Sequence, residues 1–156
     1  MEQYDDTLAI AKQKIFVSEY MLSNTYELLK DPKLLLAILD NVHTAYMETL
    51  KSLLGYERFF KRIPSYATSL ESMINVYSLK VQKRYDLDKK YAISMMEIKE
   101  ILDEHKDAAV EFSRKEKLVI ANDSYTLKTI SKESLKKTIE TCKEFLKKTE
   151  GIVSRA

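Results

Sequence analysis

Apolar residues recur along most of this chain at steps of three and four, the spacing that returns side chains to one side of an α-helix. Tyr4, Leu8, Ala11, Ile15, Ser18, Leu22 and Tyr26 trace one such face and predict a first helix over 4–29. A second set, Ile10, Val17, Met21 and Leu28, widens the stripe. Asp31-Pro32 then ends one helix and opens the next. The aspartate can accept an amide hydrogen bond as N-cap, and proline fills the first helical position, where no donor is needed. The pattern resumes over 33–54, with Leu35, Ile38, Leu39, Val42, Tyr46, Leu50 and Leu53 inward. So short a connection makes these two helices antiparallel neighbours.

Gly55 is followed by a dense aromatic and basic run, Tyr56-Glu-Arg-Phe-Phe-Lys-Arg-Ile63, which stops at Pro64. Thr68 and Glu71 have capping-box spacing and predict a third helix over about 69–84, facing inward through Leu70, Ile74, Tyr77 and Val81. Asp86 or Asp88 caps a fourth, whose seam Tyr91, Met95, Ile98, Leu102, His105, Ala109 and Phe112 alternates steps of four and three. Leu118-Val-Ile-Ala121 and Tyr125-Thr-Leu-Lys-Thr-Ile130 then read as two β-rich runs around Asn122-Asp-Ser124. Ser131 can cap a last helix with the stripe Leu135, Ile139, Cys142, Leu146 and Val153, frayed near Gly151. No repeat of 20 to 50 residues signals a solenoid. The expected fold is all-α: a single domain over 1–156, an antiparallel bundle of four to five helices with a small β-hairpin insertion near 117–130.

Composition agrees with that expectation. Two glycines and two prolines in 156 residues leave few tight turns, and this length is enough for one continuous core. The net charge of +2 is too small to demand a polyanionic partner. The lone Cys142 excludes an internal disulfide and fits a reducing compartment, where such a residue is a small buried hydrophobe. The acidic start, Met1-Glu-Gln-Tyr-Asp-Asp, is no secretory signal, and no stretch approaches the roughly 18 apolar residues that span a bilayer. A soluble, cytoplasmic protein with no membrane partner is expected.

Candidate chemistry is sparse. His43 and His105 are the two imidazoles, and His105 falls in the fourth helix's seam, where a hydrogen-bonded core or interface role is expected. Asp40 and His43 share a helix face, but one Asp-x-x-His does not approach the Glu-x-x-His inventory of a di-iron bundle, so no metal is expected. No Gly-x-Ser-x-Gly elbow or glycine-rich phosphate loop occurs. Adjacent carboxylates such as Asp103-Glu104 point apart on a helix. No catalytic residue and no cofactor follow from these patterns. The best candidate surface is Tyr56, Arg58, Lys61 and Arg62, where arginines beside aromatic rings suit a protein interface or stacking on single-stranded nucleic acid. The alternative is that Phe59, Phe60 and Ile63 are core and the cations a solvated rim. Lys80, Lys83, Arg84, Lys89 and Lys90 form a second basic cluster between the third and fourth helices.

With a long first helix, the segment Asp40-Asn-Val-His-Thr-Ala-Tyr-Met-Glu-Thr-Leu-Lys-Ser-Leu-Leu54 and the following Gly-Tyr-Glu-Arg-Phe-Phe-Lys-Arg-Ile-Pro64, the chain resembles HEPN-domain proteins. These are small prokaryotic helical bundles, and archaeal members with an added hairpin, here Lys117 to Ile130, look most similar. The resemblance implies dimerisation through first helices and, in active members, RNA cleavage by an Arg-x4-6-His motif. That motif is missing: Arg84, the nearest arginine upstream of His105, lies 21 residues away. No catalytic position carries over.

The expectation is therefore a non-enzymatic association module, homodimeric through apolar area left over on its first or second helix, or engaging another protein. The alternative is RNA binding through the Arg58–Arg62 run; a third reading is a HEPN-type ribonuclease or toxin–antitoxin component.

Overall fold

The computed structural model describes residues 2–106, 110–114, 116–121 and 127–154, with the backbone alone at Glu2, Gln3, Tyr4, Val110 and Phe112. Five helices and a three-stranded antiparallel sheet make up the described residues. The first helix, α1, runs Glu2–Tyr20, widens into a π turn at Met21–Thr25 and closes with Tyr26–Leu29. Side chains support that wide turn. The Ser23 hydroxyl donates to the Glu19 carbonyl at 2.7 Å and the Asn24 amide to the Tyr20 carbonyl at 3.3 Å, occupying acceptors that regular backbone bonding would otherwise fill. Lys30, left-handed at φ 50°, ends the rod. Asp31 Oδ1 then accepts from the Lys33 amide at 3.0 Å and starts α2, Lys33–Phe59, as the sequence leads one to expect.

The third helix, α3, spans Leu70–Val76 and a second π turn, Tyr77–Val81; it is followed by α4, Lys90–Lys106. Three strands come next: β1 Val110–Arg114, β2 Lys117–Ala121 and β3 Leu127–Ile130, paired in the order β1-β2-β3. The last helix, α5, is Lys132–Val153, and Ser131 caps it through a reciprocal pair of bonds with Ser134. Helix α2 is the hub, in contact with α1, α3, α4, α5 and β2. At the centre Phe145 of α5 meets Tyr46 of α2 at 6.0 Å, Tyr77 of α3 at 5.7 Å and Tyr91 of α4 at 5.1 Å between ring centres. One ring thus ties four helices together. Leu118, Ile120 and Ile130 bring the sheet into the same core, and the Tyr26 hydroxyl donates to the Glu116 carbonyl at 3.1 Å.

Several boundaries depart from expectation. The fourth helix stops at Lys106 instead of reaching Phe112, which lies in β1 opposite Val119, so the hairpin is a three-stranded sheet. Spacing alone continued the seam, but Val110-Glu-Phe-Ser carries β-branched and aromatic residues in alternation, and pairing with β2 decides the outcome. Ala109, the Asn122–Ser124 turn and Tyr125 lie outside the described residues. Ser69, not Thr68, caps α3, by accepting from the Ser72 amide. Asp88 caps α4, its Oδ1 2.9 Å from the Lys90 amide. Helix α5 continues through Gly151, and His105 is exposed on the last turn of α4 rather than packed in a seam.

Candidate functional site

The basic run does not stay helical. Helix α2 ends at Phe59; Lys61 takes the left-handed conformation at φ 57°, its amide bonding the Arg58 carbonyl at 3.0 Å and the Arg62 amide the Glu57 carbonyl at 2.9 Å. This six-to-one plus five-to-two closure is a Schellman turn, and it folds Arg62 back over the end of its own helix. Asp86, at φ 51°, closes the chain after α3 in the same way, with Leu87 N–H on the Gln82 carbonyl at 2.9 Å. The two turns bring the two basic clusters together.

Their meeting point is Glu57, whose side chain is 0% exposed. Its Oε2 accepts from Arg62 Nη1 at 3.1 Å and from the Tyr85 hydroxyl at 2.8 Å, while Oε1 accepts from Arg84 Nη1. A carboxylate removed from water needs such partners. Arg62 also lies over the rings of Phe60 and Tyr56, at 5.0 and 5.7 Å. The carboxylate raises the Arg62 guanidinium further, and burial with the Glu57 bond pushes the Tyr85 phenol up to about 12. Of the four residues of the expected surface, Tyr56 is therefore buried, Arg62 is held by an internal acid, and Arg58 donates to the Ser65 hydroxyl at 3.0 Å. Lys61 stands exposed beside Phe59 and Phe60. Glu57 went unnoticed in the sequence, although it follows Leu50, Leu53 and Leu54 on the apolar face, and a carboxylate there signals a buried cation partner.

A second feature lies on α1. Phe16 is 67% exposed, Tyr20 57% and Leu28 84%. Phe16 and Tyr20 stand one turn apart. In a regular helix Leu28 would be rotated about 80° from Tyr20, but a π turn adds about one residue, and eight positions then complete about two turns. All three residues share one outward stripe, with exposed Leu29 beside it. Ile10 and Leu28 of the second apolar set are exposed as well. Phe16 and Tyr20 break the three-four pattern of the inward face, which is why periodicity did not single them out.

A third is a cleft of about 560 Å³ between the start of α2 and the end of α4. It is lined by both histidines, His43 and His105, by Asp40 and Asp103, and by Leu36 and Leu102. Burial lowers the His43 imidazole below its ordinary value, against the opposing pull of Asp40. His105 Nδ1 lies 2.5 Å from Glu111 Oε2 of β1. Asp103 receives Lys99 at 2.7 Å, and that ion pair separates the cleft from a neighbour of about 500 Å³ lined by Leu70, Ile74 and Met96. Among the described residues no three His, Cys, Asp or Glu side chains are grouped to hold a metal ion, and no helix is long and apolar enough to cross a membrane. Cys142 is buried and its thiol is pushed up by desolvation, which removes it from nucleophilic chemistry.

No protein-family model, curated protein or solved structure matches this chain.

Proposed function

We propose that this chain is a HEPN-like helical association module, an antiparallel bundle that forms a homodimer through the outer face of α1 and performs no reaction of its own. The observation that supports the reading is the outward stripe of Phe16, Tyr20 and Leu28 on a rod whose opposite side is already packed. Two large aromatics and two leucines exposed in one band reach the size of the largest apolar patch on an ordinary monomer, roughly 300–600 Å². A two-fold pairing sets the stripe of one copy against the same stripe of another, and the flanks of both rods extend the contact toward the roughly 800 Å² per copy of a stable interface. Beside the stripe, Glu19 is paired with Lys143 and Glu27 with Lys132, so the rim carries both signs.

Sedimentation velocity at micromolar concentration tests this reading. The wild type should sediment as a dimer, and Phe16→Asp with Leu28→Asp as a folded monomer. A wild type that stays strictly monomeric overturns it.

A second reading, binding of single-stranded RNA, is supported by Phe59 and Phe60, both exposed beside Lys61 and Arg58. It requires affinity that falls steeply with salt and weakens in Arg58→Ala with Lys61→Ala. No retention of RNA at low salt disposes of it.

A further inference from the structure

The cleft between α2 and α4 belongs to neither the α1 stripe nor the basic run, and its side chains are unevenly committed. Lys99 and Asp103 neutralise each other, and His105 is engaged by Glu111. Lys33, Lys106, Asp40 and His43 form no side-chain hydrogen bond or ion pair among the described residues, although all four line the same space. Lys33 and Lys106 approach it from separate helices, the first turn of α2 and the last of α4. His43 is half-buried, and burial favours its neutral form, which can both donate and accept one hydrogen bond. Beside these polar groups lie two half-buried leucines, Leu36 and Leu102.

We infer that this cleft is a binding site for a small organic anion, with a phosphate or carboxylate head between Lys33 and Lys106, a hydrogen bond to His43, and an apolar body on Leu36 and Leu102. The volume is within the range of pockets that enclose small ligands, roughly 300–1,000 Å³. Two ammonium groups with no partner among the described residues supply the charge that selects an anion, and the His43 imidazole, close enough to feel Lys106, orients it. Asp40, one turn before His43, works against a negative ligand. It limits the site to a head of low charge or one that presents a hydroxyl to the aspartate.

The test uses the full chain with side-chain NMR of its two histidines and four probes: phenyl phosphate and benzoate for the two heads, inorganic phosphate for a head alone, and phenol for the body alone. Phenyl phosphate or benzoate should shift the His43 resonances saturably in the millimolar range, and whichever binds tighter identifies the head. Phosphate alone and phenol alone should each bind at least about tenfold more weakly, a loss of about 1.4 kcal/mol. Lys33→Ala with Lys106→Ala should weaken binding by about tenfold or more, whereas Asp40→Asn should strengthen it severalfold. Opposite signs from two exposed substitutions are not produced by unfolding, and Lys80→Ala with Lys83→Ala, which removes the same charge outside the cleft, should leave affinity unchanged and so separates the site from the net charge of the chain. The inference is overturned if no probe gives a saturable shift, if phenol binds as well as the anions, or if Asp40→Asn and the double lysine variant leave affinity unchanged.

Discussion

The Tyr85 hydroxyl stands 2.8 Å from Glu57 Oε2, joining the turn after α3 to the last turn of α2 across 28 positions of chain. The same carboxylate holds Arg62 and Arg84, so three side chains from two basic segments close around one buried acid. Cations that look in sequence like a surface available to a polyanion are in part the internal partners of Glu57. Their outer edges still reach water, with Arg62 at 40% and Arg84 at 38% exposure.

Removing the acid should therefore cost stability without greatly altering the surface. Glu57→Gln keeps the shape and loses the charge; its two guanidiniums can turn toward water, which limits the damage to about 1.5–3 kcal/mol, the scale of hydrogen bonds to a charged group. Tyr85→Phe, which removes one hydroxyl bonded to the same charged carboxylate, should lose an amount on that scale, about 1.5–3 kcal/mol. Urea unfolding followed by circular dichroism measures both. A Glu57→Gln variant as stable as the wild type would mean that the cluster contributes little.

The elements were legible where a local signal and the tertiary outcome agree. Asp31 and Ser131 each cap the helix that the sequence assigns to them, Asp88 is the one of its two candidates that caps α4, and the inward faces of α1, α2 and α5 carry the expected residues, from Leu8 to Val153. Helical spacing failed at Phe112, because a three-four step can continue by coincidence into a strand whose fate depends on pairing with residues 117–121. It also could not place the π turns, whose extra residue rotates everything beyond them. The Tyr56–Arg62 run was visible as a cluster, yet its arrangement was not: the left-handed Lys61 turns Arg62 back onto Glu57, and no propensity favours lysine at that conformation. The His43–His105 cleft joins residues 62 positions apart on two helices, a distance that one sequence does not bridge.

Lys61 offers a substitution whose two effects go in opposite directions. A side chain with a Cβ is strained at φ 57°, and glycine is not, so Lys61→Gly should stabilise the protein by about 0.5–1 kcal/mol while removing one exposed cation. If RNA is the partner, the more stable variant should also bind it less well, with a shallower dependence on salt. A thermal melt and a filter-retention assay on the same sample separate the two. Stability that falls on this substitution would show that the lysine side chain supplies more than the strain removes.

The π turn in α1 makes a deletion informative. Taking out exposed Asn24 should let the helix return to regular geometry with Tyr26 still inward and Leu28 still outward, because the turn already holds about one residue in excess. Its melting temperature should stay within a few degrees of the wild type. Deleting Gln13, in the regular part of the same rod, removes a residue that geometry cannot spare and rotates Leu8 and Ala11 by about 100° relative to Ile15. That variant should unfold or lose most of its stability. Equal tolerance of both deletions would contradict the proposed registration of the stripe.

Burial places the His43 imidazole below its ordinary 6.5, with Asp40 and Asp103 pulling upward and Lys99 and Lys106 pulling downward. Above about pH 6.5 the ring is neutral in folded and unfolded chains alike and adds no slope. As pH falls below that value the unfolded chain binds the proton first, so stability declines until the pH passes below the folded value, where the decline stops. One proton sets an upper limit of about 1.4 kcal/mol per pH unit, and a ring partly open to water should show less. Wild type and His43→Gln, compared by urea unfolding at pH 7.5 and 5, isolate this contribution from that of the carboxylates. The wild type should lose more stability over the interval than the variant. Parallel losses would place His43 in a more solvated setting than the cleft gives it, and a steeper loss in the variant would reverse the sign of the burial effect.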